Sequence, residues 1–397
     1  MGKLVQKLKS YKYGILLTSL MLCIASCNRF DDFMLGKDNT PVPKDLKPIS
    51  SAVEVKKQWS VHVGKEQSKA VYLRLAPQIK GNDIYLSDAD GQLQAIHKNS
   101  GKVKWVNKTS YKFVSGPSVY SNELFMTTNA AEVVAFSSDN GKLLWHKKVS
   151  GDVYAPPVKR GNIVLVKTID GNLYALDSSQ GKQLWHLEHG APNLVLKASS
   201  SPTMLDNHIA LVGYSDGKLD TVDINTGHNL AQRNVVYPAG ASDVERLVDI
   251  DADPIVTKNA VILADYQGFI GAISLTTGQM LWHKSLSVYK NMRLDGNNIL
   301  VTDSQDTLWS LDSTSGQVNW RQPLLRARNL TSPVVVGNKV FVADKTGLLH
   351  GIDKSTGSLI SRTTLDGAVF VAPRVAGNHL YLLTAKGDLV CYTVGVS

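Results

Sequence analysis

The chain has 397 residues, of which 43% are hydrophobic and 19% charged, with a formal net charge of +9: the composition of a globular protein. The basic excess is not gathered into a Lys/Arg cluster interleaved with aromatics, which argues against nucleic acid as a partner. Only three cysteines are present, Cys23, Cys27 and Cys391, so no disulfide framework is expected.

Residues 1–26 read as an export signal. Lys3, Lys7, Lys9 and Lys12 make a basic start, and the 11 residues from Gly14 to Ile24 form an apolar run too short to span a bilayer as a helix. Removing the four lysines takes the charge from +9 to +5. The run ends Ile24-Ala25-Ser26-Cys27, which resembles a bacterial lipobox; that resemblance implies lipidation of Cys27 after cleavage. The alternative is an ordinary signal peptide that happens to hold a cysteine. Asn28, where the enteric sorting pattern would place Asp for inner-membrane retention, favours the outer membrane. Residues 27–50 are polar and carry Pro41, Pro43 and Pro48, as a semi-extended tether would.

From residue 51 to 397 the sequence repeats. A glycine at a turn recurs as Gly101, Gly141, Gly181, Gly227, Gly278, Gly316 and Gly357, with separations of 40, 40, 46, 51, 38 and 41. Four residues after it stand Trp105, Trp145, Trp185, Trp282 and Trp320, replaced by Ala231 and Ser361 in two copies. A second marker, the turn before the middle strand, has eight copies: Asp90-Gly91, Ala131-Glu132, Asp170-Gly171, Asp216-Gly217, Gln267-Gly268, Asp306-Thr307, Thr346-Gly347 and Lys386-Gly387. Within a copy, IVLVKT and NLYAL read as short strands joined by Asp170-Gly171, and a third strand continues through Trp185. Pro157 and its counterparts precede a further short apolar strand. Four strands and a period of about 40–45 residues predict an all-β, eight-bladed β-propeller of four-stranded antiparallel blades. The eighth copy runs out of chain after three strands, so the segment around Trp59 is expected to supply the missing one and close the ring. An elongated solenoid would need no such strand.

Little in the repeats suggests chemistry. His146, His186 and His283 each follow a repeat Trp, one per copy, and lack metal-ligand spacing, so no metal is expected. Asp177, Asp312 and Asp353 recur before the glycine turn, where a short carboxylate accepts backbone N–H groups. No G-x-S-x-G, H-E-x-x-H or phosphate-cradling loop is present, and no cofactor is expected. Cys391 in DLVCYTV is expected to pack as a small apolar side chain.

The run Ala175-Leu176-Asp177-Ser178-Ser179-Gln180-Gly181-Lys182-Gln183-Leu184-Trp185 resembles the tryptophan-docking motif of quinoprotein-like propellers. That resemblance implies that Trp59, Trp105, Trp145, Trp185, Trp282 and Trp320 wedge between blades. It leaves two functions open. One is a dehydrogenase using pyrroloquinoline quinone; such enzymes are longer and often carry a vicinal cysteine pair, which this chain lacks. The other is a scaffold: repeat type, lipobox and tether together resemble the BamB family, lipoproteins of the outer-membrane β-barrel assembly machinery.

This second resemblance is most specific where the period stretches to 46 and 51, in GAPNLVLKASS (Gly190 to Ser200) and PAGASDVERLVDIDADP (Pro238 to Pro254). Each joins consecutive blades, so both should emerge side by side on one face, where an apolar centre with a charged rim makes an interface pattern. The family match implies that Leu194, Leu196, Lys197, Arg246, Asp249 and Asp251 contact the periplasmic domains of the barrel protein BamA. Lys197 departs from an Arg common in the family and cannot reproduce its bidentate contacts. The alternative is that the leucines fold back onto the ring and the aspartates cap turns. As an assembly-machinery lipoprotein the chain would be non-enzymatic and held by lipid at the periplasmic face of the outer membrane. Its further partners would be other lipoprotein subunits and unfolded outer-membrane proteins.

Overall fold

The computed structural model describes residues 41–43, 45–49, 51–64, 73–192, 194–195, 199–237 and 248–395. The expected signal, residues 1–26, and Cys27 lie outside the described residues. A unit of residues 44–397 holds all the described strands, 32 in eight sheets of four. Each sheet is one antiparallel blade: residues 78–108, 113–148, 158–188, 203–234, 255–285, 293–322, 334–364, and 374–394 with Val55–His62. The expected eight-bladed propeller is therefore the observed architecture.

The two middle strands of a blade have neighbours on both faces, which is why they are apolar almost without interruption. Ile163–Lys167 (IVLVK) is buried from its second residue on, whereas the outer strand Gln183–Glu188 is half exposed. The core lies in the seams: Phe125, Ala135 and Trp145 of blade 2 pack with Val164, Tyr174 and Leu176 of blade 3.

One irregularity recurs in every blade. The outer strand carries a β-bulge just before the tryptophan slot, as where Ala175 pairs with Trp185 but Leu176 pairs with Gln183. The extra residue, Leu184 here and Leu144, Leu230 and Leu281 elsewhere, is left unpaired and about half exposed. A bulge re-aims the next side chain, and the tryptophan is turned toward the following blade. The residue opposite the slot is small each time: Ala95, Ala135, Ala175, Thr221, Ala272, Ser310, Gly351 and, in the closing blade, Cys391. Cys391 is fully buried opposite Trp59, as a small side chain must be there.

Each indole lands on the turn glycine of the next blade. A methyl group added to Gly181 would sit 2.4 Å from Cε3 of Trp145, and φ there is 67°, so both space and backbone demand glycine. The indole N–H then donates to a carbonyl of that blade: Trp105 to Ser138 (3.0 Å), Trp145 to Ser178 (2.6 Å), Trp185 to Ile224 (2.8 Å), Trp282 to Ser313 (3.1 Å) and Trp320 to Lys354 (2.8 Å). Trp59 lies on Gly101 in the same way, but its N–H finds no acceptor among the described residues.

The closing strand pairs Val55 with Val394 through His62 with Asp388. Just before it, Ala52 N–H donates to Ile360 O and Val53 is buried in the seam between blades 7 and 8. This explains Ser361. The last blade is split between the chain ends and offers no glycine turn for a tryptophan, and the incoming chain occupies that ground. Packing begins before residue 51, since Leu46 rests on the cluster around Trp320 and Leu325 and Lys47 O accepts from Arg362 (3.0 Å).

Two turn assignments shift by one residue. The left-handed position falls on Ala131 (φ 58°) and Asp306 (φ 62°) themselves, aligning them with the glycines rather than with the aspartates before them. Asp306 is held by accepting the N–H groups of Asn329 (2.6 Å) and Leu330 (2.8 Å). Asp177, Asp312 and Asp353 are turn devices, each accepting two backbone N–H groups at 2.9–3.0 Å.

Candidate functional site

The two lengthened connections bracket blade 4, one entering it after Glu188 and one leaving it after Asn234. Blade 4, like blade 7, also lacks the tryptophan weld. Ala231 occupies the slot, and the guanidinium of Arg233, on a fully exposed outer strand, lies over Gly278 instead. The second connection compensates from the inside. Val248 and Ile250 are each 2% exposed, and Ile250 packs among Leu211, Leu219 and Val235 of blade 4 and Val261 and Leu263 of blade 5. A methyl on Gly213 would stand 2.8 Å from Ile250 Cγ2, so that glycine makes room for it.

The connections meet, as their spacing implied. Ser199 and Val195 of the first and Asp249 and Asp251 of the second line one small void with Lys167 and Tyr214, about 10 Å³, near the size of one water. Arg74 ties them together, donating to Ser199 O (2.6 Å) and Asp253 (3.0 Å), while Asp253 also accepts from Ser201 N–H (2.7 Å) and the Asn291 amide (2.7 Å).

Asp249 and Asp251 do not form the exposed charged rim expected of them: they are 2% and 3% exposed. Burial, reinforced by the charge of Asp249, raises the Asp251 carboxyl pKa well above its ordinary range, and neither of its oxygens has a hydrogen-bond partner among the described residues. Facing them is Lys167, whose ammonium donates to Gly213 O and Ser200 Oγ. Burial pulls its pKa to about 8, against the opposing pull of Asp251, Asp249 and Asp253. Of the six residues expected at the interface, Leu194 is exposed (41%), the two aspartates are interior, and Leu196, Lys197 and Arg246 lie outside the described residues.

A second anchor holds the base of the first connection. His189 bonds Asp220 through Nδ1 (3.2 Å) and Asp216 through Nε2 (3.1 Å) and stacks on Tyr214 with ring centres 3.6 Å apart. Burial disfavours its charge, but the two carboxylates outweigh burial and raise its pKa to about 9. Neither Lys167 nor His189 stood out in the sequence, because each is one polar residue within a strand or just past its end, without a motif. Their one signal is position, beside the lengthened connections. Among the described residues no three His, Cys, Asp or Glu side chains gather as a metal site.

Eight four-stranded blades, six of their seams closed by tryptophan on glycine, with paired insertions around blade 4, define a tryptophan-docked β-propeller. A family profile described as outer membrane protein assembly factor BamB matches residues 110–322 and 323–394. The outer membrane protein assembly factor BamB of Legionella pneumophila is 50% identical over 378 residues, covering 95% of this chain and 98% of that one; its Pseudomonas aeruginosa counterpart is 38% identical over 385 residues, covering 97% and 99%. The chain belongs to the BamB family. The crystal structure of BamB from Moraxella catarrhalis superposes with a TM-score of 0.77 at 22% identity, over 86% of this chain and 100% of that one. A quinohemoprotein alcohol dehydrogenase from Pseudomonas putida shares the fold at 12% identity, with a TM-score of 0.70 over 88% and 78% of the two chains. The close relatives are assembly factors, and the chain is not an enzyme.

Proposed function

We propose that this protein is a periplasmic scaffold of the outer-membrane β-barrel assembly machinery, anchored by lipid on Cys27 in the inner leaflet of the outer membrane. It docks on the periplasmic domains of BamA through the connections that bracket blade 4. Family membership across nearly the whole chain supports the assembly role. The observation that carries the docking surface is the meeting of the two lengthened connections at Ser199, Asp251 and Asp253, with Leu194 left exposed on the first. A half-exposed leucine on a loop braced from beneath is a preorganised anchor of the kind that dominates interfaces. Asp249 and Asp251 act from the inside, fixing the loop rather than touching the partner. Other lipoprotein subunits share the assembly, and the unpaired edges of the outer strands offer unfolded barrel proteins a place for strand addition.

The test is capture of the BamA periplasmic domains by the full-length chain in detergent, beside Leu194→Glu and Leu196→Glu. Wild-type capture with loss in both folded variants is expected. Equal capture by all three would refute the proposed surface.

A further inference from the structure

A cavity of about 1030 Å³ lies on the ring axis, with lining residues from all eight blades. That is at the upper end of the range of small-molecule sites. Its wall is partly apolar, with Pro117, Pro157, Met204, Val334 and Phe370 among the lining residues, and it carries an excess of positive charge.

Arg74, Lys290, Arg293 and Arg374 all border the cavity. Two of them are neutralised by the protein. Arg74 pairs with Asp253, and Lys290 is bound by Asp306 (3.3 Å), Asn329 (3.3 Å) and Leu330 O (2.5 Å). The other two are not. Arg374 donates only through Nε, to Pro77 O (2.6 Å), which leaves both terminal nitrogens without a partner among the described residues. Arg293 is exposed and borders the cavity, and its side chain makes no hydrogen bond or ion pair among them. Of the two carboxylates that line the cavity, Asp253 is already bonded to Arg74, Ser201 and Asn291, and Asp251 is disfavoured as an anion by its burial. Burial, with Arg74 and Arg293 close by, lowers the Arg374 pKa to about 10, the response of a guanidinium held beside like charges.

Two free guanidinium forks at the wall of a half-apolar cavity match the geometry of oxyanions, each fork taking a carboxylate or phosphate through two parallel N–H···O bonds. We propose that the axial cavity is a binding site for a small organic anion carrying two carboxylate or phosphate groups, with Arg293 and Arg374 as its ligands and the apolar wall receiving its body. This site is separate from the docking surface and does not rest on it.

The test is calorimetric titration of the full-length chain in detergent at fixed ionic strength, using citrate, inorganic pyrophosphate and acetate. One saturable citrate or pyrophosphate site per chain is expected, with acetate binding at least tenfold more weakly because it engages one fork. Arg374→Lys and Arg293→Gln should each weaken the bound anion at least tenfold, and Arg160→Gln, exposed and not a lining residue of the cavity, should leave it unchanged. The Arg293 side chain has no hydrogen-bond or ion-pair partner among the described residues, so its variant tests binding even if changes at Arg374 impair folding. Tighter pyrophosphate than citrate would assign a phosphorylated ligand, and the reverse a polycarboxylate; either supports the site. Citrate and pyrophosphate heats matching those of sodium chloride, or binding unchanged in folded Arg293→Gln, would overturn it.

Discussion

The indole of Trp145 lies against Gly181 of the next blade so closely that a methyl there would come within 2.4 Å, and its N–H closes the contact on Ser178 O at 2.6 Å. The pair is one of six such tryptophan-on-glycine contacts, and the stability of the ring is set at these seams.

Gly181→Ala should therefore cost far more than Gly161→Ala. Both glycines have positive φ, but a methyl at Gly161 meets nothing within 4 Å. Gly161→Ala bears only the left-handed strain, about 1–2 kcal/mol, while Gly181→Ala adds overpacking of about 1–3 kcal/mol. Trp145→Ala should lose about 3–5 kcal/mol. Urea unfolding midpoints of the three variants check the order.

The seam between blades 4 and 5 should be the first to open. It lacks the indole, and Ile250 carries the inner packing. Hydrogen exchange should be fastest among the outer strands in Asn229–Asn234, and Ile250→Ala should cost about 2–5 kcal/mol. Uniform protection of all eight outer strands would contradict this.

His189 gives the fold a pH dependence of known sign. Its folded pKa, about 9, lies above the unfolded value, so its contribution is complete below about pH 6.5 and is lost as pH rises toward 9. Its partner Asp216 is lowered to about 2: burial opposes the charge, but hydrogen bonds from His189 and Lys218 prevail. That contribution is present above about pH 4 and fades as pH falls through 2. The coupled cluster thus stabilises most between about pH 4 and 6.5, by about 1–3 kcal/mol counted once. In His189→Gln, thermal midpoints should lose their fall between pH 6.5 and 9.

Lys167 and Asp251 should respond oppositely to neutralisation. Lys167→Met leaves buried carboxylates without their cation and should cost about 3–5 kcal/mol. Asp251→Asn replaces a group held toward its neutral form, with no hydrogen bonds to lose among the described residues, and should change stability by less than about 1 kcal/mol at pH 7. Thermal melts of the two variants are sufficient to compare them.

Much of the ring was legible in the sequence because each blade repeats a few strict steric demands. Gly181, beneath Trp145, and Gly227, beneath Trp185, are visible since nothing else satisfies a left-handed turn beneath an indole. The closing strand was visible through Trp59 standing in an empty slot. Cys391 was read as a small packing residue, but its specific reason, a place opposite Trp59, needed the register across the β-bulge. The loops were legible as insertions through the stretched period, yet the burial of Asp249 and Asp251 was not. An Asp in a D-x-D loop reads as exposed unless its buried cation is known, and Lys167 lies some 80 residues earlier on another blade. The axial guanidiniums were hidden for the same reason: Arg74, Arg293 and Arg374 are far apart in sequence and meet only because the ring closes.

The most direct test of the docking account is site-specific photo-crosslinking in cells. A crosslinking side chain is placed at Leu194, 41% exposed on the first insertion, and for comparison at Leu324, 58% exposed between blades 6 and 7. A BamA adduct is expected from position 194 and none from 324. An adduct from 324 alone, or from neither position while the protein is folded and present, would contradict it.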